Sequence, residues 1–246
     1  MKYNLNLNER AFRAIINKTK RVEIRTITGN TDYSKMNKDD IIIFKNDELD
    51  EKIACKIIEI NHYKNVEELL MLEGTRYTTS STNDYEEAII NINKLNGYAD
   101  AIKIHGLYAI HIEYLYNENH IWSELLDKAK KVQNPRKVSD SIEAGGVAAA
   151  ILSSNGNIYT GVCIDTACSI GMCAERNALS TMITNGENQI EKVVCIGSKG
   201  NIMLPCGVCR EFMMQLNKEN KNAEILLDFE KEDTIILDKL LPNWWN

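Results

Sequence analysis

The chain has 246 residues, of which 44% are hydrophobic and 26% charged, and its formal net charge is -6. This balance argues against a protein that coats nucleic acid through bulk positive charge, although it allows a local basic site. No apolar run approaches the roughly 18 residues of a membrane span, and the start lacks a signal-peptide core. We therefore expect a cytoplasmic protein with reduced cysteines, long enough for two domains.

The first half, residues 1–116, mixes short helices with β-rich runs. Its first helix is predicted over residues 8–20, where Phe12, Ile15 and Ile16 have helical spacing and Asn8 is a plausible N-cap. The other elements predicted for this half are strands over 21–27, 39–46 and 52–60, helices over 66–74 and 84–93, and a strand over 107–116.

The second half, residues 117–246, alternates strands with helices. Such alternation indicates a sheet that helices cover on both faces. The predicted elements are a helix over 120–134, a loop over 135–144, a hairpin of strands over 145–154 and 158–165, a helix from Cys173 to about Asn185, a strand over 192–198, a helix from Cys206 to about Leu216, a strand over 223–229 and a closing segment at the C-terminus.

Three cysteines in this half have the spacing of metal ligands. Cys206 and Cys209 are one helical turn apart at a helix start, and Cys173 begins the other predicted helix. Positive charge at helix N-termini favours the thiolate that binds zinc, and a catalytic zinc uses three protein ligands. Glu175 is close enough to take a proton from water and pass it to a leaving group. Arg176 can offset the charge of three thiolates.

The alternatives are a set of reduced core cysteines or a structural zinc site. The structural site needs a fourth ligand, which Cys163, Cys168 or Cys195 could supply. Cys195 lies within an apolar strand, where packing explains it better, so Cys168 is the main rival. A structural zinc would make the chain an RNA-binding or nucleotide-binding module instead of an enzyme.

The segments CAERNAL and PCGVCREF, with the hairpin VAAAILSSNGNIYTG, resemble the zinc-dependent cytidine deaminases, in the small all-cysteine branch that includes blasticidin deaminases. The resemblance covers 117–246 and implies an α/β/α sandwich, a zinc cofactor and a homo-oligomer, either a dimer or a tetramer. It also implies roles for individual residues. Cys173, Cys206 and Cys209 would bind Zn2+, Glu175 would shuttle protons, Arg176 would balance charge, and the backbones of Ala174 and Pro205 would face the pyrimidine ring.

The sequence departs from this family where nucleoside deaminases carry an Asn-x-Glu triplet that holds the sugar hydroxyls. Cys163 stands in the place of the asparagine and Asp165 in the place of the glutamate. Cysteine cannot replace the hydrogen bonds of an amide, and Asp is shorter than Glu. Asp165 either binds a polar tail of the substrate or simply ends a strand. Cytidine, deoxycytidine, a modified nucleoside, a nucleoside antibiotic and an RNA base are all candidate substrates.

Residues 8–25 hold a local excess of basic side chains over Glu9 and Glu23. The basic residues are Arg10, Arg13, Lys18, Lys20, Arg21 and Arg25. They form either a solvated helix face or a binding site. The stretch NKTKRVEIR, with the run DDIIIF, resembles the ASCH domain, a small PUA-like β-barrel, over residues 1–116. The resemblance implies that Lys20, Glu23 and Arg25 line a cleft for nucleotide or RNA. Glu23 stands where related amidohydrolases carry a catalytic threonine, so binding is favoured over hydrolysis.

Overall fold

The computed structural model of the protein describes residues 1–245. The chain forms two compact units, Met1–Asn119 and His120–Asn246, whereas the sequence analysis put the boundary after residue 116. The longest helix among residues 1–245 has 12 residues. No helix within residues 1–245 is both long and apolar enough to cross a bilayer.

The first unit contains five strands and four α-helices. The strands are β1 (Lys2–Asn6), β2 (Val22–Arg25), β3 (Ile41–Asn46), β4 (Glu51–Tyr63) and β5 (Leu107–Asn117). The helices are α1 (Glu9–Ile16), α2 (Val66–Glu73), α3 (Tyr85–Asn93) and α4 (Tyr98–His105).

These strands form one sheet in the order β1-β3-β4-β5-β2. The β1–β3 pair is parallel and the other pairs are antiparallel. Among residues 1–245, no pairing joins β1 to β2, so the sheet is open and does not form the closed barrel expected from the sequence. Register shifts within β4 and β5 interrupt the ladder and bend the sheet locally.

Local signals explain most of this unit. Side chains of β3 alternate between half-buried and buried, with Ile42 and Phe44 fully enclosed in the core. Asn8, Asn65 and Asp84 cap their helices, each accepting a backbone N–H. Helix α4 was missed in the sequence analysis because it begins at Gly97, which offers no capping side chain.

The second unit contains six strands and four α-helices. The strands are β6 (Arg136–Ser139), β7 (Ile142–Ser153), β8 (Ile158–Thr166), β9 (Ile190–Ile196), β10 (Glu224–Asp228) and β11 (Asp233–Ile236). The helices are α5 (Ile121–Val132), α6 (Ala174–Thr184), α7 (Gly207–Leu216) and α8 (Leu237–Leu240).

Strand β7 is the centre of this sheet. One edge of β7 pairs with β8, and the other pairs with β6 and then β9; β10 and β11 continue the sheet beyond β9. Residues 148–152 of β7 are all fully buried. Because successive strand residues point to opposite faces, both faces of the sheet must be covered. Helices α6 and α7 pack on the face of Ile151, and α5 also packs on these strands. Strand β6 lies where a loop was expected, and all four of its residues are exposed.

Candidate active site

Three cysteine sulfurs meet at the N-terminal ends of α6 and α7. The Sγ atom of Cys206 lies 3.6 Å from that of Cys173 and 3.5 Å from that of Cys209. All three ligand atoms are within 4.8 Å of one another. The structure thus brings together the residues that the sequence analysis selected as metal ligands, although 33 positions separate Cys173 from Cys206.

Helix geometry produces this convergence. Cys173 and Cys206 are the N-cap residues of α6 and α7, and neither side chain makes a capping hydrogen bond, which leaves both sulfurs available. Strand β8 fixes the position of α6, because a Cβ atom at Gly161 would lie 2.4 Å from the carbonyl oxygen of Ala174. The side chain of Asn177 reinforces this contact by donating to the carbonyl of Val162 at 3.0 Å.

The three sulfurs fit a zinc ion. With Zn–S bonds of about 2.3 Å, two sulfurs of one tetrahedral site lie about 3.8 Å apart, close to both observed separations. Cys168 does not belong to this group of ligands. It is exposed, and its Sγ lies 3.7 Å from the hydroxyl of Thr166. A set of three protein ligands is typical of catalytic zinc, whereas structural zinc normally has four.

The thiols sit in unequal electrostatic environments. Burial opposes ionisation of Cys206, but hydrogen bonds from the backbone of α7 and from the thiols of Cys209 and Cys173 outweigh it and lower the pKa of this thiol. Burial raises the pKa of Cys209, and the charge of Glu175 adds to that effect. Burial also raises the pKa of Cys173. A cation bound among the three sulfurs would favour all three thiolates.

Arg176 is directed at this cluster from the first turn of α6. Burial would lower the pKa of its guanidinium, but the Cys173 thiol outweighs this effect and raises it. One Nη atom donates to the carbonyl of Gly171 at 3.4 Å, whereas the buried Nε has no hydrogen-bond partner among the described residues. A donor without a partner beside three thiols fits a site whose sulfurs become negatively charged on binding a metal.

A cavity of about 530 Å3 opens at the sulfurs. Glu175, only 3% exposed, lies in its wall next to Ala174, and Cys173 and Cys206 contribute to the same wall. Proton exchange between a carboxylate and a bound molecule requires the two to share one space within hydrogen-bond reach. The cavity provides that space for Glu175.

Of the residues expected to contact the substrate, some line the cavity and one does not. Cys163 and Asp165, both on β8, line the cavity. The sulfur of Cys163 accepts the N–H of Val147 at 3.2 Å and lies 3.5 Å from a carboxylate oxygen of Asp165. Pro205 is not part of the cavity wall; its carbonyl oxygen accepts the Nε–H of Arg210 at 2.7 Å. This carbonyl therefore already has a partner within the protein.

Comparison with known proteins supports a family assignment. The protein-family model "Cytidine and deoxycytidylate deaminase zinc-binding region" matches residues 122–222 of this chain, which include all three cysteines and Glu175. A cytidine deaminase of Mycoplasma genitalium is 27% identical over 97 residues, covering 39% of this chain and 75% of the relative. A cytidine deaminase of Sporosarcina psychrophila is 31% identical over 98 residues, covering 39% of this chain and 71% of the relative. This chain belongs to the cytidine deaminase family.

Members of the cytidine deaminase family are hydrolytic enzymes that act on C–N bonds, and this chain is such a deaminase. Solved structures of cytidine deaminases also align with it. The Mycobacterium tuberculosis structure is 22% identical and covers 51% of this chain and 97% of its own, with a TM-score of 0.43. The Mycobacterium leprae structure is 22% identical and covers 50% of this chain and 98% of its own, with a TM-score of 0.42.

Sequence reasoning missed several residues around the candidate active site. Met203 and Leu204 line the cavity, as does Cys195, which the sequence analysis assigned to packing. Arg210 was also missed, although it directly follows the second cysteine of the C-x-x-C motif, and that position was the available signal. The apolar side chains of α6 are mostly internal, since Ala178, Leu179 and Met182 are fully buried.

The terminal tryptophans pack on helix α7. The indole N–H groups of Trp244 and Trp245 donate to the two carboxylate oxygens of Glu211 at 2.9 and 3.1 Å. Neither indole lines the cavity at the three sulfurs.

The three N-terminal residues predicted to bind a ligand lie together in the first unit. The carboxylate of Glu23 pairs with Lys20 Nζ at 3.3 Å and with Arg25 Nε at 2.9 Å. Burial lowers the pKa of Lys20, whose ammonium also donates to the carbonyls of Val22 and Thr78. All three side chains line a cavity of about 320 Å3. Lys20 and Arg25, two of the basic residues of the stretch 8–25, are thus largely buried and ion-paired, so the stretch is not only a solvated helix face.

Proposed function

We propose that the second unit of the chain is a zinc-dependent deaminase of a cytosine-type nucleoside, which it converts to the uracil form with release of ammonia. One observation carries this proposal: the three cysteine sulfurs lie within 4.8 Å of one another, and two of these cysteines, Cys173 and Cys206, share a cavity wall with the buried Glu175. The matched zinc-binding region includes all four residues.

Cys173, Cys206 and Cys209 would hold the zinc ion. When bound, zinc supplies a Lewis acid that brings the pKa of a water molecule towards neutrality. Arg176 would keep the site near charge balance by donating to thiolate sulfur. The ligands must be reduced thiols, so the proposed enzyme works in a reducing compartment such as the cytoplasm.

Glu175 would carry the protons of the reaction. Its carboxylate takes a proton from the attacking water, while the water oxygen forms a bond to C4 of the ring. The carboxyl group gives this proton to ring N3, then takes the second proton from the hydroxyl now on C4 and gives it to the exocyclic amine. The C4–N bond breaks, and ammonia leaves. The near-complete burial of Glu175 keeps this proton from exchanging with bulk water.

The substrate tail would lie against Cys163 and Asp165. Asp165 offers a carboxylate that can accept hydrogen bonds from sugar hydroxyls, and Cys163 cannot donate as an amide does. Cytidine and deoxycytidine are therefore the first substrates to test, and modified nucleosides, nucleoside antibiotics and RNA bases are the alternatives. The relatives support the choice because their names state cytidine deamination.

A pair of glutamate variants tests the proposal. The Glu175→Gln variant should keep its metal and lose ammonia release from every substrate in a panel of cytosine, cytidine, deoxycytidine, blasticidin and acetylcytidine. Glu124→Gln changes an exposed residue of α5 in the same way and should retain activity. Turnover by the Glu175→Gln variant, with metal content unchanged, would refute the role given to this residue.

We further propose that the first unit is an ASCH-like, PUA-related module that binds nucleotide or RNA at Lys20, Glu23 and Arg25. Two observations support this proposal. The three side chains form a buried ion-paired array, and the buried hydroxyl of Thr78, in the same cavity, has no hydrogen-bond partner among the described residues. Substitution of Glu23 by Gln should abolish binding of nucleoside to the first unit. A melting curve establishes that the variant is folded, and unchanged binding by the folded variant would refute the assignment.

A further inference from the structure

The basic excess of residues 8–25 resolves in the structure into paired and unpaired charges. Glu9 pairs with Arg13 at 2.8 Å, and Glu23 pairs with both Lys20 and Arg25. Both carboxylates of the stretch are therefore occupied. The cations of this stretch that have no ion-pair partner among residues 1–245 are Arg10, Lys18 and Arg21.

Two of these unpaired cations line a second cavity of the first unit. This cavity measures about 650 Å3 and lies between the turn after α1 and the hydroxyl-rich loop of residues 75–83. Lys18 and Arg21 come from the turn, and Arg76 comes from the loop. Among the described residues, no carboxylate lines this cavity. Arg76, like Lys18 and Arg21, has no ion-pair partner among residues 1–245. The cavity therefore holds three positive charges in a chain whose net charge is -6.

The scaffold holds two of the guanidinium groups close to one ring. The carbonyl oxygen of Tyr77 accepts the backbone N–H groups of Arg21 and Val22 at 2.8 and 3.0 Å, which ties the loop to β2. The guanidinium carbons of Arg21 and Arg76 lie 4.8 and 5.1 Å from the centre of the Tyr77 ring. Stacking on tyrosine restricts both side chains before any ligand arrives, which lowers the entropic cost of binding.

The positive charges and hydroxyl donors of this cavity fit a tetrahedral anion that has several oxygen acceptors, such as phosphate. Like charges held near one another repel, and a bound anion removes that repulsion. Guanidinium groups match phosphate oxygens in a bidentate manner, and serine and threonine hydroxyls add further donors. The lining supplies both kinds of group, with hydroxyls from Ser80 and Thr82 among others.

This basic cavity adjoins the Lys20–Glu23–Arg25 cavity. The two share three wall residues of the hydroxyl-rich loop, Thr79, Ser80 and Ser81. The shared wall makes the two spaces neighbours, which is the condition for one ligand to reach both. The carboxylate of Glu23 can accept from amino or imino groups of a base in the first cavity, while its phosphate lies against the arginines in the second.

We propose that Lys18, Arg21 and Arg76 form a phosphate subsite, which binds the phosphate group of a nucleotide whose base occupies the Lys20–Glu23–Arg25 cavity. This rests on the proposed nucleotide-binding role of the first unit. A mononucleotide and the end of an RNA strand carry the same phosphate chemistry, and the experiment distinguishes these two sources.

Calorimetric titration of the full chain tests the subsite. The Glu175→Gln background prevents turnover, and the titrants are cytidine, CMP, inorganic phosphate and a hexamer of cytidylate. We expect CMP to bind at a site distinct from the deaminase centre, about tenfold more tightly than cytidine, with affinity that falls as salt rises. The double substitution Arg21→Gln and Arg76→Gln should remove this advantage. Tighter binding of the hexamer than of CMP would identify RNA as the source of the phosphate, and equal or weaker binding would identify a mononucleotide.

A charge-matched control separates the subsite from a general loss of positive charge. Lys38→Gln and Lys64→Gln together remove two exposed cations of the same unit, neither of which lines either cavity, and should leave the CMP advantage intact. Equal affinities for CMP and cytidine, both lost on Glu23→Gln substitution, would overturn the phosphate subsite and leave the binding role of the first unit standing. Absence of any Glu23-dependent binding would overturn both.

Discussion

The Nε–H of Arg210 donates to the carbonyl oxygen of Pro205 at 2.7 Å, while one of its Nη atoms donates to the carbonyl of Leu240 at 3.1 Å. One side chain thus ties the turn before Cys206 to the last helix of the chain. The bond fixes the backbone from which two of the three sulfurs project, so the geometry of the sulfur cluster depends on a residue that is not itself a ligand.

Substitution of Arg210 by Ala should destabilise the protein and loosen the metal site. The variant leaves two carbonyl groups without their charged donor. A hydrogen bond to a charged group contributes about 1.5–3 kcal/mol to the free energy of unfolding, and less where water can replace the donor. We expect a loss of roughly 2 kcal/mol in the free energy of unfolding, measured by urea denaturation, and faster loss of zinc to a chelator. Gln215→Ala removes an exposed hydrogen bond of the same helix and should change neither quantity. Equal stability of the two variants would contradict this role of Arg210.

Cysteine variants distinguish the three proposed ligands from the rival fourth one. Cys206→Ser should release most of the zinc, because serine oxygen is a much poorer zinc ligand than thiolate. Cys168→Ser should keep one zinc per chain, since Cys168 is exposed and outside the sulfur cluster. Zinc content measured by atomic emission after gel filtration reports both outcomes. Loss of metal from the Cys168 variant would favour the structural zinc site.

Asp165 offers a test of substrate recognition. If its carboxylate accepts a hydroxyl of the sugar, Asp165→Asn should raise the KM for cytidine about tenfold and change kcat little. The KM for a substrate without the sugar, free cytosine, should not respond. Asp127→Asn on α5 is the matched control at an exposed position. An unchanged KM for cytidine would mean that Asp165 only ends its strand.

The carboxylate of Glu73, in the first unit, should make the stability of the protein fall at low pH. Burial alone would raise the pKa of Glu73, but hydrogen bonds from Tyr63, Asn61 and His111 outweigh it and lower that pKa. A group with a lowered folded pKa stabilises the protein above its unfolded pKa, and this stabilisation is lost as pH falls through the folded value.

Melting temperatures between pH 7 and pH 3 provide the measurement. The wild-type chain should lose more stability over this range than Glu73→Gln, which lacks the titrating group. Glu48→Gln, at an exposed turn, should follow the wild-type curve. Parallel curves for the wild type and Glu73→Gln would show that this carboxylate contributes no pH dependence.

The proximity of the three sulfurs was predictable because each cysteine lies in the first turn of a helix or at its N-cap, where local spacing determines position. Cys206 and Cys209 are one turn apart in any helix, and Cys173 begins a helix with a recognisable apolar face. The hairpin of β7 and β8 was also predictable, since the turn at Gly156 is encoded in three consecutive residues.

Features that depend on tertiary contacts were not predictable. Strand β6 is short, polar and exposed, and only its pairing with β7 makes it a strand. The openness of the first sheet depends on which edges pair, and no residue pattern records that. The roles of Arg210 and of the Tyr77 ring arise from side chains that meet across the fold, so composition alone cannot reveal them.

X-ray absorption at the zinc edge of the purified protein would examine the metal centre itself. We expect one zinc per chain with three sulfur ligands at about 2.3 Å and one lighter ligand, oxygen or nitrogen, at about 2.0–2.2 Å. That coordination shell belongs to a catalytic site beside Glu175. Four sulfur ligands, or a preparation active in ammonia release without zinc, would contradict it.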